Sequence, residues 1–583
     1  MATWWERYPE ILEKEISALN DIAHLGYTWS IDEAEKANGL LVIKIEKGGA
    51  DGDLLKFEAH YPDSFPYFQP MVRLDNVTLG RHHHPTGKNL CLLEREGEAW
   101  QPGRDTLAGL LRDQLPIVLQ ITNGEMSPGE VAHNEDHVGE PVASFLPYVP
   151  NCVPIGPDKT PPEEVNHGRL TLFVQRKPDK WISSHPFING IVQKILDPHQ
   201  LPIVQFPCPV PGFEKQLPGF WLRLTAPPKI SNDKDIEELV ALMAKSIPTF
   251  DKAVKTARRG EIVIAGFVYR DEVTWRSEAD DWIFVAVEIT QEAKRSRATK
   301  VNYFFVRADW GGEDAYMRRA PSLRPLRIRK VLLFGLGSLG SPVALQLARS
   351  GIGQLHLMDS DYLQVGNTVR WALGWQGAGL HKALALKMHI AVNYPLTKVL
   401  ATDLRLGFPR ATANERPADY DTLLEAVQEA DVVIDASANQ RVSNFLADLT
   451  TELGKPFLWL TTTPGTAGGV VGRVVPGRTT GCWHCFQRSM ADGSIKQPMD
   501  LGSINIQPAG CSAATFVGAG IDSDEVALLA TRLAVATLMN GEPDCFPDFD
   551  WNVAVVDLKQ DGISMAPRWT TYPLNKNPSC ACA

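Results

Sequence analysis

Lys330-Val331-Leu332-Leu333-Phe334-Gly335-Leu336-Gly337-Ser338-Leu339-Gly340 decides the fold of the second half of this chain. Lys330 to Phe334 reads as a buried strand that runs directly into a GxGxxG turn. Ser341 to Ser350 follows as a helix, Gln354 to Asp359 as a second strand, and Asp431 to Asp435 as another short apolar strand. This alternation predicts a doubly wound α/β, Rossmann-like domain with a parallel sheet. A glycine turn between strand and helix aims backbone N–H groups and a helix N-terminus at a phosphate. Gly335, Gly337 and Gly340 are therefore candidate nucleotide-binding positions. Asp359 ends the next strand, where a carboxylate suits ribose hydroxyls.

Alone, the turn fits a nicotinamide-dependent oxidoreductase as well as an ATP-using enzyme. Its surroundings separate the two. Asp361, Asn367, Arg370 and Lys382 follow it, and Arg318 and Arg319 precede it. Hydride transfer needs few cations. Attack of a carboxylate on the α-phosphate of ATP needs several, because charge develops on the phosphoryl oxygens.

As an ordered set, Tyr316-Met317-Arg318, Lys330 to Gly353, Asp359-Ser360-Asp361, Asn367 to Arg370, and Lys382 resemble the ThiF-like and ubiquitin-activating superfamily. The resemblance spans roughly residues 315 to 583. It implies that Asp359 binds the ribose, that Asp361 lies beside the nucleotide, and that Asn367, Arg370 and Lys382 contact phosphates. It also implies ATP and Mg²⁺ as cofactors. Arg318 is implied as an arginine finger reaching into the neighbouring subunit of a homodimer formed through this domain. One departure concerns the metal. The family's magnesium-holding Asp falls at Ala438 in Asp435-Ala436-Ser437-Ala438-Asn439, so either Asp435 takes the ion or ATP carries it.

Cys482-Trp483-His484-Cys485 is a CxxC, and Cys580-Ala581-Cys582 lies near the C-terminus. Four thiolates can close a tetrahedral zinc site, and in this superfamily two such pairs form a structural Zn²⁺ site. Cys511 follows a Gly turn in Pro508-Ala509-Gly510-Cys511-Ser512, a placement that suits either a nucleophile or a buried structural thiol. The segment from Cys511 to Gly520 resembles the crossover segment that carries the acceptor cysteine in bacterial fusions of this kind, which implies a thioester at Cys511.

The first 145 residues read as an α+β domain: an N-terminal helix, a run of strands, a Pro- and His-rich segment, and a helix from Thr106 to Ile121. Tyr61-Pro62-Asp63-Ser64-Phe65-Pro66, Gln69-Pro70, Asn89-Leu90-Cys91-Leu92 and Trp100-Gln101-Pro102 resemble ubiquitin-conjugating enzymes. That resemblance implies a UBC-like domain with Cys91 as the second acyl carrier. The usual His-Pro-Asn upstream of the cysteine appears as His82-His83-His84-Pro85-Thr86, where Thr86 or His83 offers a substitute donor. Three consecutive histidines also admit a metal reading, but a solvent-facing loop is preferred. The polar stretch Glu125 to His137 reads as a solvated connection or as cover for Cys91.

Length and composition agree with a multidomain protein. The 583 residues accommodate three or four domains at about 150 residues each. A Pro-rich linker is expected at 146–164, and an α/β connecting domain at 165–312 ahead of the adenylation domain at 313–583. With 22% charged and 44% hydrophobic residues the chain reads as soluble. A net charge of −11 without a long basic stripe argues against nucleic-acid binding. No signal peptide or membrane-spanning stretch stands out, and the nine cysteines are an odd, scattered set. A cytoplasmic protein is expected.

The whole arrangement resembles bacterial fusions of a ubiquitin-conjugating-type with a ubiquitin-activating-type enzyme. Some sit in antiphage defence operons and attach a nucleotidyltransferase tail to a target protein; others use a ubiquitin-like modifier. A catalytically silent scaffold is the remaining alternative, motivated by Ala438 and the missing His-Pro-Asn.

Overall fold

The computed structural model describes residues 2–48, 54–92, 100–127, 129–131, 138–146, 152–155, 160–175, 188–206, 212–291, 300–407, 419–502, 505–506 and 515–580. Cys511, Cys582 and residues 132–137 lie outside them. The chain divides into two compact units, Met1–Phe206 with Phe213–Trp310, and Pro207–Gly212 with Gly311–Ala583.

The first unit opens with helices Trp4–Arg7 and Pro9–Asp21, the latter with its proline in the first turn, where no N–H is needed. An antiparallel meander follows: Tyr27–Ile31, Val42–Gly48, Leu54–His60 and Met71–Leu74. Alternate residues Ile43, Ile45, Phe57, Ala59, Val72 and Leu74 are buried against Leu19, Leu107, Leu111, Leu115 and Val118 of the helices. The helix expected from Thr106 to Ile121 is two helices, Leu107–Asp113 and Leu115–Asn123, because Pro116 can only sit at a helix start.

The middle block is built differently from the expected α/β domain. Its sheet runs Cys152–Ile155, Lys300–Trp310, Ser277–Gln291, Ile262–Thr274, Phe213–Arg223, His167–Gln175, Gly190–Leu196, Pro202–Gln205. The pairing of Ile155 with Val192 closes it on itself, and most neighbours are antiparallel. Both faces are covered. Ile264, Val268, Trp282 and Phe284 pack on one side, while Val263, Phe267, Ile283 and Val285 pack under helices Asp233–Ser246 and Pro248–Thr256 on the other. Burial on both faces explains why these strands read as unbroken apolar runs. The Pro-rich stretch expected as a linker contributes the strand Cys152–Ile155.

The second unit carries an eight-stranded sheet. Lys398–Thr402, Gln354–Met358, Lys330–Phe334, Val432–Asp435 and Phe457–Thr462 are parallel; Gly468–Val474, Val553–Gln560 and Ile563–Tyr572 continue it antiparallel. The sheet is thus mixed rather than parallel throughout. Gly335, Asp359 and Ala436 lie just past the C-terminal ends of three adjacent parallel strands, and Asp435 closes the third. That edge is where open α/β sheets bind ligands. Helices Gly340–Arg349 and Gly520–Met539 bury Val343, Leu347, Val526, Leu533 and Ala534 in the same core.

Candidate functional site

The glycine turn is fixed by sterics. Gly335 has φ of +84°, and a Cβ there would lie 2.5 Å from the Ser437 backbone. A Cβ on Gly340 would lie 1.9 Å from the Gly335 carbonyl oxygen. Gly337 differs: among the described residues nothing lies within 4 Å of its missing side chain, so a ligand can approach the backbone there. Asp359 ties the turn to the next strand. One carboxylate oxygen accepts from Leu336 N at 2.6 Å and the other from Asp361 N at 2.7 Å. Burial pushes its carboxyl up, and the Lys382 ammonium opposes that shift.

Two residues that sequence reasoning missed complete the frame. Buried Trp371 donates its indole N–H to the Leu336 carbonyl at 2.7 Å. Ser341 donates its hydroxyl to the Gly337 carbonyl at 2.8 Å and accepts from Ala372 N at 3.1 Å. Trp371, in an irregular stretch that also holds Trp375, was the available signal, since a buried indole N–H must find an acceptor.

The expected phosphate-binding residues surround this frame. Lys382 is the first residue of helix Lys382–Asn393 and is 9% exposed. Its ammonium is 2.9 Å from Asp361, whose side chain is open to solvent. Asn367 accepts from Gln364 N at 3.2 Å and so shapes the single turn Val365–Val369. Arg370 follows directly, half-buried, and burial draws its pKa down. A Cβ on Gly520 would meet Val369 O at 3.0 Å and Arg370 Cα at 3.1 Å, so the start of helix Gly520–Met539 rests on the backbone that carries Arg370. Arg318 is exposed, just past helix Glu313–Met317.

Asp435 is 2% exposed and turned into its own loop. It accepts from the Ser443 hydroxyl at 2.5 Å and from Ser437 N at 2.9 Å, and burial pushes its carboxyl up. Ala438 is exposed and holds φ of +53°, a conformation that disfavours residues with a Cβ. Neither side chain fits a metal ligand: Asp435 spends one oxygen on Ser437 N and the other on the Ser443 hydroxyl of helix Gln440–Glu452, and Ala438 has no side-chain oxygen.

Cys482, Cys485 and Cys580 converge. Cys482 Sγ lies 3.7 Å from both Cys485 Sγ and Cys580 Sγ, and Cys485 Sγ also accepts from Asn577 N. A tetrahedron of Zn–S bonds about 2.3 Å long has edges of about 3.8 Å, which the two separations from Cys482 match, and all three sulfurs lie within 4.8 Å of one another. His484 is turned to Asp448 at 3.0 Å, away from this group.

Cys91 is exposed between buried Leu90 and Leu92. Its backbone N donates to His82 O at 2.8 Å, and Leu90 N donates to Val72 O at 2.8 Å. Trp100 donates its indole N–H to Pro66 O at 2.7 Å, which joins the Trp-x-Pro to the Pro-rich junction. The histidines do not face solvent as expected. His82 and His83 are buried, and each of the three serves the loop separately. His83 accepts from Leu79 N at 3.1 Å and donates to Leu74 O at 3.0 Å; burial draws its pKa down, in keeping with a neutral ring. His84 Nδ1 accepts from Gly87 N at 2.9 Å and lies 3.1 Å from the Thr86 hydroxyl. The donors expected to replace the missing Asn are thus engaged within the loop. His82 holds φ of +54°, which costs on the order of 1 kcal/mol in a residue other than glycine. Among the described residues the only group of three or more His, Cys, Asp or Glu with metal-binding geometry is the cysteine triad, and no helix is long and apolar enough to cross a membrane.

Comparison with known proteins adds the lineage. Residues 315–542 match the ThiF family. The uncharacterized protein y4oA of Sinorhizobium fredii is 27% identical, covering 99% of this chain and 97% of its own length. Protein y4qC of the same organism is 30% identical, covering 97% of this chain and 96% of its own length. The ATP-dependent ubiquitin transferase-like protein Cap2 of Enterobacter hormaechei is 31% identical over 159 residues, 27% of this chain and 25% of that protein.

Proposed function

Because the chain belongs to the family of y4qC and carries a ThiF-family domain at residues 315–542, we propose that it is an enzyme that activates the C-terminal carboxylate of a peptide or protein with ATP. The observation that carries this reading is Lys382. A lysine ammonium in the first turn of a helix opposes the macrodipole, and burying it adds a desolvation cost. The Asp361 carboxylate at 2.9 Å offsets part of that cost within the fold. An anion bound beside the glycine turn gains from both the ammonium and the helix N-terminus.

In the proposed reaction a carboxylate oxygen of the substrate attacks the α-phosphorus of ATP. Pyrophosphate leaves, and an acyl-adenylate forms. Gly335, Gly337 and Gly340 shape the phosphate approach; Asp359 and Asp361 flank the ribose; Asn367, Arg370 and Lys382 neutralise phosphoryl oxygens. Arg318, being exposed, is available to the site of a second copy in a homodimer. Mg²⁺ is then carried by the ATP phosphates, since Asp435 and Ala438 do not fit it. Cys482, Cys485 and Cys580, with Cys582 as fourth ligand, would hold a Zn²⁺ that braces the chain end and takes no part in the reaction.

The finer proposal continues past the adenylate. The Cys511 thiolate attacks the acyl carbon and AMP leaves; the Cys91 thiolate then takes the acyl group, freeing Cys511; finally an amine of a target protein displaces Cys91. The exposure of Cys91 and its place in a helix-and-meander domain like that of ubiquitin-conjugating enzymes support the last two steps. The substrate is a ubiquitin-like modifier or a nucleotidyltransferase tail.

ATP–pyrophosphate exchange in the presence of candidate C-terminal peptides tests the first step. Lys382→Met is expected to reduce exchange by roughly a hundredfold. Cys91→Ala should keep exchange and lose conjugates. Persistent conjugate formation by Cys91→Ala would sink the second acyl carrier, and a nicotinamide absorbance change in place of exchange would restore the oxidoreductase reading.

A further inference from the structure

The loop that carries Cys91 lacks the tripeptide expected to organise it, and His83 and His84 are spent on local bonds. What holds it comes from farther along the chain. Glu140 accepts from the backbone N of His82 through both carboxylate oxygens, at 3.1 and 3.2 Å, and lies 3.4 Å from the His82 ring. The His82 carbonyl in turn accepts from Cys91 N at 2.8 Å. One residue, in a left-handed conformation, therefore links the Glu140 carboxylate to the cysteine backbone.

Glu140 is itself braced. It lies in the segment 138–146, which runs along the hairpin of strands Ile262–Thr274 and Ser277–Gln291. A Cβ on Gly139 would lie 2.5 Å from the Glu272 carbonyl oxygen, so this segment is pressed directly on the hairpin backbone. Val142 N donates to Asp271 at 2.8 Å, and Arg307 donates to the carbonyls of Ser144 and Leu146 at 2.9 Å each. Arg81, next to His82, is ion-paired with Glu272 at the hairpin's end, with both side chains largely buried. The Phe145 ring meets His84 edge-on at 5.1 Å between centroids.

We propose that Glu140 is a positioning residue for Cys91, and that the middle domain, through its hairpin and Glu272, is a structural part of the acyl-transfer site. The inference rests on the reading of Cys91 as an acyl carrier. Glu140 touches no reacting atom. It fixes the peptide unit that fixes the Cys91 backbone, and so sets where the thioester carbonyl sits when the amine attacks. A connecting domain with no such role would leave this loop to its own bonds.

The test uses the full chain in three forms: wild type, Glu140→Ala, and Glu140→Gln, which keeps one acceptor for the His82 N–H. Discharge of acyl-loaded Cys91 to an amine is expected to fall roughly tenfold in Glu140→Ala, through kcat with KM for the amine unchanged, and to recover to within about threefold in Glu140→Gln. ATP–pyrophosphate exchange stays at the wild-type rate. Amide hydrogen exchange of a peptide spanning residues 81–92, which needs no activity, rises in Glu140→Ala and not in Glu140→Gln. Wild-type discharge and wild-type exchange protection in Glu140→Ala overturn the proposal. Faster amide exchange in a protein whose wild type never loads Cys91 upholds the brace and removes the acyl-carrier reading instead. An equal loss in both variants with a lowered melting temperature assigns Glu140 to general stability and also overturns it.

Discussion

The glycine turn at 335–340 and the cysteine loop at 82–92 solve the same problem by opposite means. Each must hold a short irregular segment in one conformation. The turn does it with missing side chains: Gly335 and Gly340 pack backbone on backbone, and no larger residue fits. The cysteine loop does it with added ones. His83 and His84 tie it to neighbouring backbone, and Glu140 and Arg81 tie it to residues 58 and 191 positions away. A turn built from exclusions carries its instructions within its own motif. A loop built from attachments leaves them scattered along the chain.

The largest expected effect separates the glycines from one another. Gly340→Ala should cost at least about 3 kcal/mol, because its methyl group meets a backbone oxygen that cannot move without opening the turn. Gly337→Ala has open space, so its stability should stay within about 0.5 kcal/mol of wild type. Its ATP–pyrophosphate exchange should nevertheless fall, since the methyl group occupies the approach to the phosphates. Thermal denaturation beside exchange kinetics reads both. Equal stability of the two variants would show that the turn tolerates side chains and would break the contrast.

That contrast also explains what was legible in the sequence. The strand, turn, helix and the place of Asp359 after the next strand follow from local rules, whereas the bond from Leu336 N to Asp359 was not expected from them. The sulfur triad was legible because CxxC spacing places two thiolates by itself. Trp371 and Glu140 were not, because each acts through a hydrogen bond to a carbonyl or amide far along the chain, and any residue type could flank those groups. The strand Phe213–Arg223 was missed for another reason. Pro218 sits inside it, and local propensity forbids what tertiary pairing with Thr171 permits. The histidines were misplaced because three adjacent polar rings read as surface, whereas His82 and His83 are buried and bond Glu140 and the Leu74 carbonyl. Cys511 lies outside the described residues, so its role remains with the resemblance.

A smaller effect bears on the bracing side. Asp281 lies on the hairpin, opposite Tyr269, 6% exposed, and burial pushes its carboxyl up to about 6. A carboxyl whose folded pKa exceeds its unfolded one takes up a proton on folding. Its contribution is full below about pH 4 and is lost as pH rises through 6. Between pH 4 and pH 8, Asp281→Asn should therefore gain about 2 to 3 kcal/mol of stability relative to wild type. Denaturant midpoints of the first unit, followed across that range, measure it. A flat difference would place the ionisation of Asp281 outside the folding of the hairpin.

The smallest effect asks whether the turn is as self-sufficient as its motif implies. Trp371 donates to the Leu336 carbonyl at 2.7 Å, and Leu336 is fully buried. Trp371→Phe retains most of the apolar ring but leaves that carbonyl without its indole donor. A buried acceptor deprived of its partner costs about 1 to 2 kcal/mol. The Leu336 N–H bond to Asp359 is untouched, so the Asp359 side of the turn should keep its geometry. The expected result is a modest fall in melting temperature with a raised KM for ATP and little change in the exchange rate at saturation. No change in either would mean that the glycines alone define the turn. A loss as large as that of Gly340→Ala would mean that the turn, like the cysteine loop, depends on an attachment from outside its motif.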